Sequence, residues 1–242
     1  MPSETQDPRG DRITLETLRF AQGERRAAVF IFDFDETIID LEPQHTAAYE
    51  ALCRAHGDDY QQMPESFRTG SGRRIIDDIR DMRAHFGWTQ SEEELFAERQ
   101  QVFDSVCREA DLQPMDGVVE TVRALQARNV PLAITSSAVR SSIEAILERL
   151  QLRDAFTLIV DGSEVVHGKP DPEAYLLTAR KLGVEPAECV VFEDSHVGVV
   201  AAKRAGMYCI AVRNPHAQTR QDLSAADVIV DSMRELNLTA PA

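Results

Sequence analysis

Acidic residues recur where this chain leaves its apolar runs. Asp33 and Asp35 stand two apart in Asp33-Phe34-Asp35-Glu36-Thr37, directly after Val29-Phe30-Ile31-Phe32. Glu193 and Asp194 follow Val190-Val191-Phe192, and Thr135-Ser136-Ser137 follows Leu132-Ala133-Ile134. Continuous apolar runs of this length read as strands buried on both faces, so each polar cluster sits at the carboxyl end of a strand. In open α/β sheets ligands bind beyond those ends, which sends the three clusters to one crevice. Carboxylates from two distant parts of the chain then share a small volume. They repel one another unless a divalent cation lies among them, and hard oxygen ligands suit magnesium. Taken singly, each cluster has a plainer explanation, because Asp or Ser at a strand-to-helix junction is commonly a helix N-cap. Three clusters at corresponding strand ends point to chemistry.

One cation completes the set. His167-Gly168-Lys169-Pro170-Asp171-Pro172-Glu173 predicts a turn leading into a helix, with Asp171 as N-cap and Pro172 at the first helical position. Lys169 then lies just ahead of that helix, within reach of a bound anion or of Asp33, its place fixed by the flanking prolines. Ser136 and Ser137 are expected to open the helix after the second strand, where their hydroxyls and the nearby backbone N–H groups make an anion site. Other chemistry-bearing motifs are missing. There is no GxxxxGK[ST] loop and no HExxH, Gly70-Ser71-Gly72 lacks the third glycine and the preceding strand of a dinucleotide fingerprint, and the six histidines show no ligand spacing.

The elements that must position these residues alternate regularly in the second half of the chain. Helical patterns at 117–128, 139–150, 172–182 and 196–205 each precede a short β-rich run, at 130–134, 156–160, 189–192 and 208–212, with a last strand at 228–230. With the first run at 27–32, this predicts an α/β fold, a doubly wound, Rossmann-like parallel sheet. Between Leu41 and Asp111 only helical patterns occur (43–56, 73–86 and 92–110), a block too long for a loop and best read as an inserted all-helical cap. The expected organisation is a polar N-terminal tail over 1–26, with a short helix near Leu15–Ala21, an α/β core of 27–40 and 112–242, and the cap over 41–111. Gly198, Ala201, Ala202 and Ala205 form a narrow small-residue stripe expected to pack closely on the sheet.

Composition narrows the partners. The 242 residues carry 26 Lys and Arg against 41 Asp and Glu, a formal charge of −15, which argues against nucleic acid or an anionic membrane as partner. A local cation still permits a small anionic substrate. No apolar run is long enough to span a bilayer, and the first residues hold no apolar signal region. Cys53, Cys107, Cys189 and Cys209 are widely spaced without a CxxC pair, which favours reduced thiols and a cytoplasmic setting. Asn237-Leu238-Thr239 matches a glycosylation acceptor by chance. The chain is expected to act as a monomer or weak homodimer.

Asp33-Phe34-Asp35-Glu36-Thr37, Ile134-Thr135-Ser136, Lys169-Pro170 and Glu193-Asp194, in that order, resemble the four motifs of the haloacid dehalogenase superfamily, in its phosphotransferase branch. The similarity spans about Val29 to Val230. The stretch from Lys169-Pro170-Asp171-Pro172 to Ala205-Gly206 looks most like the β-phosphoglucomutase and sugar-phosphatase subgroup, whose insertion is a helical cap. The resemblance implies that Asp33 attacks phosphorus to form an aspartyl-phosphate and that Asp35 serves as general acid and base. It implies that magnesium is held by the Asp33 carboxylate, the Asp35 backbone carbonyl, Asp194 and Glu193, and that Ser136 and Lys169 hold the phosphoryl oxygens. Asp35 argues for phosphoryl transfer, since displacing a halide needs no proton donor.

A magnesium-dependent phosphatase for a small, sugar-phosphate-like phosphomonoester is the leading expectation. The alternative is a phosphomutase of the β-phosphoglucomutase type. His45 favours it, and so does Arg73, which is placed to grip a distal phosphate bidentately; Glu36, where that subgroup usually carries Gly, disfavours it. A non-catalytic binding protein on the same fold is a third, remote reading. Cap side chains such as Arg73, Arg74 or His85 are expected to choose the leaving group.

Overall fold

The computed structural model describes residues 27–69, 72–217 and 221–236. The N-terminal tail with its expected short helix, Gly70-Ser71 and the Asn237 acceptor lie outside the described residues. Six strands form one sheet: β1 (Val29–Phe32), β2 (Leu132–Thr135), β3 (Leu158–Val160), β4 (Cys189–Glu193), β5 (Tyr208–Val212) and β6 (Val228–Val230). Their order is β3-β2-β1-β4-β5-β6, and every pairing is parallel. β1 is therefore central, with the chain winding to β2 and β3 on one side and to β4, β5 and β6 on the other. The register pairs Phe32 with both Ile134 and Phe192, so the carboxyl ends of β1, β2 and β4 are level. That alignment brings the three polar clusters together at the switch point of the sheet.

Alternate strand residues feed two cores. Phe30, Phe32, Ile134 and Phe192 face one side, where α5 (Val118–Gln126) contributes Val122 and Leu125 and α6 (Arg140–Arg149) contributes Ile143 and Leu147. Val29, Ile31 and Val191 face the other, against Tyr175 and Ala179 of α7 (Glu173–Leu182) and Val199, Ala201 and Ala202 of α8 (His196–Arg204). The expected small-residue stripe is buried on this second face, and Gly206, at φ 76°, ends the helix in the left-handed region that glycine adopts without strain.

Two helix starts differ from expectation. α7 begins at Glu173 with Pro172 at the N-cap, one residue later than expected, while Asp171 still supplies the capping carboxylate by accepting from the Glu173 N–H at 2.9 Å. α6 begins at Arg140 with Val139 at its N-cap, so Ser136 and Ser137 sit in the loop ahead of the helix instead of opening it. Ser136 Oγ accepts from the Ala138 N–H at 2.9 Å, and Ser137 Oγ donates to the Gly72 carbonyl at 3.0 Å.

Between β1 and α5 the described residues of the insert form only helices, α1 (Glu42–Ala55), α2 (Glu65–Arg68), α3 (Ile75–Phe86) and α4 (Glu92–Glu109), apart from a one-turn 3₁₀ segment. α2 is too short to leave a period in the sequence. α3 starts after Arg74, which is extended, and ends at Gly87 in the left-handed region. A capping box of Ser91 and Glu94 starts α4. This insert has its own apolar centre, with Leu52, Ile79, Met82 and Leu95 fully buried. All four cysteines are buried and free, and no helix among the described residues is long and apolar enough to cross a membrane.

Candidate active site

Asp33 leaves β1 with its N–H donating to the Phe192 carbonyl at 2.9 Å, which pins it beside the end of β4. Its carboxylate is buried and meets Lys169, whose Nζ donates to Asp33 Oδ1 at 2.5 Å and also to Glu193 Oε1. The loop that carries this lysine contains a cis peptide between Lys169 and Pro170. Glu193 is saturated. Oε1 accepts from Lys169 and, at 2.8 Å, from the Tyr175 hydroxyl, and Oε2 accepts at 3.0 Å from the Asp194 N–H, the Ser195 N–H and the Ser195 hydroxyl. Gly198 makes room for it: a Cβ there would stand 1.7 Å from Glu193 Oε1. Asp194 Oδ1 accepts from the Thr37 hydroxyl at 3.0 Å.

The electrostatics show what this cluster lacks. Burial raises the Asp33 pKa well above its ordinary value, opposed by Lys169 and reinforced by Glu193. Burial likewise raises Asp194, with Glu193, Glu36 and Asp33 adding repulsion. Burial also works against the charge of Lys169, yet Asp33 and Glu193 outweigh it and hold the ammonium above its ordinary value. Carboxylate oxygens of Asp33, Glu193 and Asp194 lie within 4.8 Å of one another around a single lysine. The cluster is short of positive charge, and an all-oxygen donor set of this size fits a divalent cation.

Asp35 points elsewhere. Its Oδ1 lies 3.2 Å from His45 Nε2, and its Oδ2 is 3.5 Å from Ser136 Oγ. The other ring nitrogen, His45 Nδ1, receives Nη2 of Arg99. A guanidinium can only donate, so Nδ1 is the acceptor, the ring proton sits on Nε2, and His45 donates to Asp35. Arg99 is fully buried on α4, lies 4.6 Å over the Tyr49 ring and 4.7 Å over Phe103, and leaves Nε and Nη1 without a hydrogen-bond partner among the described residues.

A cleft of about 70 Å³ joins the two groups, lined by Asp33, Asp35, Glu36 and Ser137 from the core and by Glu42, His45, Tyr49, Arg73 and Asp78 from the insert. Arg73 reaches this cleft already engaged, with Nη2 2.6 Å from Asp81 and Nε 3.4 Å from Asp78. Asp78 also accepts from the Tyr49 hydroxyl at 2.9 Å, and its pKa is pushed up to about 6 by burial against the pull of Arg73. Neither Arg74 nor His85 lines the cleft. Glu36 occupies the left-handed region at φ 62°, buried, with its carboxyl pushed up to about 7 by burial and by Glu42 while Asn214 donates to it at 3.3 Å.

Of the sequence-derived candidates, Asp33, Lys169, Glu193 and Asp194 converge at one point. Asp35, Ser136 and His45 form an adjoining chain, Ser137 and Arg73 line the cleft, and Ser137 spends its hydroxyl on the insert. Arg99, Tyr175, Glu42 and Asp78 were not singled out from the sequence. Arg99 left a readable signal, because it interrupts an apolar stripe spaced by four, Leu95, Arg99, Phe103 and Cys107, all of it buried.

Relatives share this architecture. The chain is 33% identical over 86% of its length, and 95% of the relative's, to the validoxylamine A 7'-phosphate phosphatase of Streptomyces hygroscopicus subsp. limoneus. It is 34% identical over 78% of its length, and 97% of the relative's, to the fructose-1-phosphate phosphatase YqaB of Escherichia coli (strain K12). The crystal structure of CbbY from Rhodobacter sphaeroides in complex with phosphate superposes with a TM-score of 0.77, covering 87% of this chain and 96% of that one at 24% identity, a likeness of fold. Residues 27–206 match the model of the haloacid dehalogenase-like hydrolases, and the chain belongs to that family.

Proposed function

We propose that the protein is a magnesium-dependent phosphatase that hydrolyses a small, sugar-phosphate-like phosphomonoester through an aspartyl-phosphate on Asp33. The observation that carries this reading is the separation of two carboxylates in one cleft: Asp33 against Lys169 at 2.5 Å, and Asp35 against His45 at 3.2 Å. Asp33 is placed to attack phosphorus. Asp35, turned toward the insert and steadied by the His45 donor, is placed to protonate the leaving oxygen and then to take a proton from water. Lys169 and Ser136 face the phosphoryl oxygens and offset the charge that gathers there.

The fit of the acidic cluster supports a magnesium site made by Asp33, Asp194 and the Asp35 carbonyl, with Glu193 nearby. Five donors already hold Glu193, which favours a part in fixing Lys169 over direct ligation. When bound, the ion supplies positive charge to the phosphoryl group and neutralises the cluster. We assign the helical segment 41–111 as a cap that must lift. Its helices bring Glu42, His45, Tyr49, Arg73 and Asp78 over the cleft beside Asp33 and Asp35, so a sugar phosphate has to enter between the segment and the sheet.

His45, in hydrogen-bond contact with Asp35, favours the mutase as second reading. Against it, Arg73 is already paired with Asp81 and Asp78, which a second phosphate of a bisphosphate would have to displace or share. With magnesium present, phosphorus NMR on a panel of phosphomonoesters including β-glucose 1-phosphate is expected to show inorganic phosphate accumulating. Glucose 6-phosphate appearing instead, faster with added glucose 1,6-bisphosphate, establishes the mutase. Release from a generic aryl phosphate disposes of a non-catalytic binding role.

A further inference from the structure

Arg74 belongs to the insert, at the N-cap of α3, yet its side chain crosses to the α/β core. Its Nη1 donates to the Val165 carbonyl at 3.0 Å, while Nε and Nη2 hold Asp77 bidentately at 2.8 and 2.9 Å. A Cβ built on Gly168 would stand 2.9 Å from Arg74 Cγ and 3.0 Å from Nε, so the arginine arm lies directly against the backbone that precedes Lys169. The same segment is held from behind by α7, where Glu173 accepts from the Val166 N–H at 3.0 Å and the His167 N–H at 2.8 Å. Residues 165–168 are thus clamped between a helix of the core and one arginine of the insert, and the next residue is the lysine on Asp33.

A second contact shows that the insert is docked in this state. Ser137 Oγ donates to the Gly72 carbonyl at 3.0 Å, and a Cβ on Gly72 would strike Ser195 Oγ at 2.6 Å and Val197 Cγ2 at 2.8 Å. Residues 72 to 74 therefore rest on the neighbours of Ser136, Lys169 and Asp194 together. When the insert lifts, Arg74 leaves with it and Glu173 alone holds the lysine's segment. Arginine suits this position because its planar fork holds the Asp77 carboxylate bidentately while its remaining nitrogen reaches the Val165 carbonyl, a fixed geometry that the point charge of an ammonium does not impose.

We propose that Arg74 is a positioning residue: by gripping residues 165–168 while the insert is docked, it sets Lys169 for the phosphoryl group only when the cleft is closed. The role given to Lys169 rests on the phosphatase reading, whereas the clamp does not. The test compares Arg74→Met, which keeps the stem against Gly168 and removes the donor, with Arg74→Lys, which keeps one donor. Both are placed in wild-type and Lys169→Ala backgrounds, with kcat and KM measured on p-nitrophenyl phosphate. Amide hydrogen exchange over residues 166–169 is followed in the wild-type and Arg74 variant proteins.

Arg74→Met is expected to lower kcat about tenfold or more, as small misplacements near a reacting group do, and Arg74→Lys to recover part of that loss. KM is expected to stay within about threefold. In the Lys169→Ala background the same substitution should change kcat less than about twofold, since the two residues act as one unit. Exchange over 166–169 should quicken in Arg74→Met. An equal fall in kcat in both backgrounds, or unchanged exchange, overturns the proposal. If the wild-type protein releases no phosphate, the phosphatase reading fails by itself, and hydrogen exchange alone decides the clamp by the same criterion.

Discussion

The two walls of the cleft are built on opposite principles. On the sheet side, Asp33, Glu193 and Lys169 are interlocked at the level ends of β1 and β4, and five donors meet the oxygens of Glu193. On the insert side, a buried arginine leaves two nitrogens unpartnered, and it touches the chemistry only through His45. The sheet wall is rigid because parallel strands fix its backbone, and what it lacks is positive charge. The insert wall rests on helices packed through side chains, and among the described residues it leaves Arg99 Nε and Nη1 without hydrogen-bond partners.

Substitutions on the two walls should therefore fail differently. The largest effect is expected at Asp33. Asp33→Asn should leave the fold intact and cut turnover below ~1% of wild type, because losing the attacking group costs several kcal/mol of barrier; higher residual activity in a steady-state assay breaks the assignment. Gly198→Ala should be the costliest change for stability, at about 3 kcal/mol or more by denaturant unfolding, since its Cβ would meet Glu193 Oε1 at 1.7 Å. A melting curve matching wild type would show that the sheet wall yields at Gly198.

Arg99→Met should do the reverse. No carboxylate forms an ion pair with Arg99 among the described residues, and removing a fully buried cation with unmet donors relieves the cost of desolvating it, which offsets its attraction to Asp78. Melting temperature should hold or rise while kcat falls about tenfold, as His45 loses the donor that fixes its tautomer. A large loss of stability would make Arg99 a packing residue and erase the contrast between the walls.

The smallest effect is in pH dependence. Burial holds Asp33 and Asp194 above their ordinary carboxyl range, and with Glu42 it pushes Glu36 up to about 7. Without metal, the folded protein then binds more protons than the unfolded chain from about pH 4 through about pH 7, and stability falls as pH rises through that window. The metal-free melting temperature should drop between pH 5 and pH 8. The increment produced by magnesium should grow over the same interval, because the ion binds the ionised forms. A flat profile would mean the cluster is not short of charge.

The contrast between the walls also explains what the sequence made legible. β1, β2 and β4 could be read because strands buried on both faces are uninterrupted apolar runs, and the residue ending each run is at the site by topology alone. Asp33, Asp35, Ser136, Glu193 and Asp194 followed from that rule, and Lys169 from its rigid turn. The helical insert was legible as helices, but helices meet through side chains whose partners lie far along the chain. Arg99 reaches His45 across 54 positions, and Arg74 reaches Val165 across 91. Arg73 could be read as a phosphate clamp because its pairing with Asp78 and Asp81 depends on how α3 begins. The two serines were misplaced for a smaller reason: Ser136 accepts from the nearby Ala138 N–H and Ser137 donates to the Gly72 carbonyl, so both are held in the loop before the helix begins.

The most direct test of the account is a rapid-mixing experiment with p-nitrophenyl phosphate, whose leaving group departs without a proton. In Asp35→Asn the first half-reaction should proceed and the second stall, giving a burst approaching one p-nitrophenolate per active site. That burst should leave a phosphoprotein stable to acid and cleaved by hydroxylamine, and Asp33→Asn should give neither. A burst or a labelled protein in Asp33→Asn, or steady release without a burst in Asp35→Asn, would contradict the division of labour between the two aspartates.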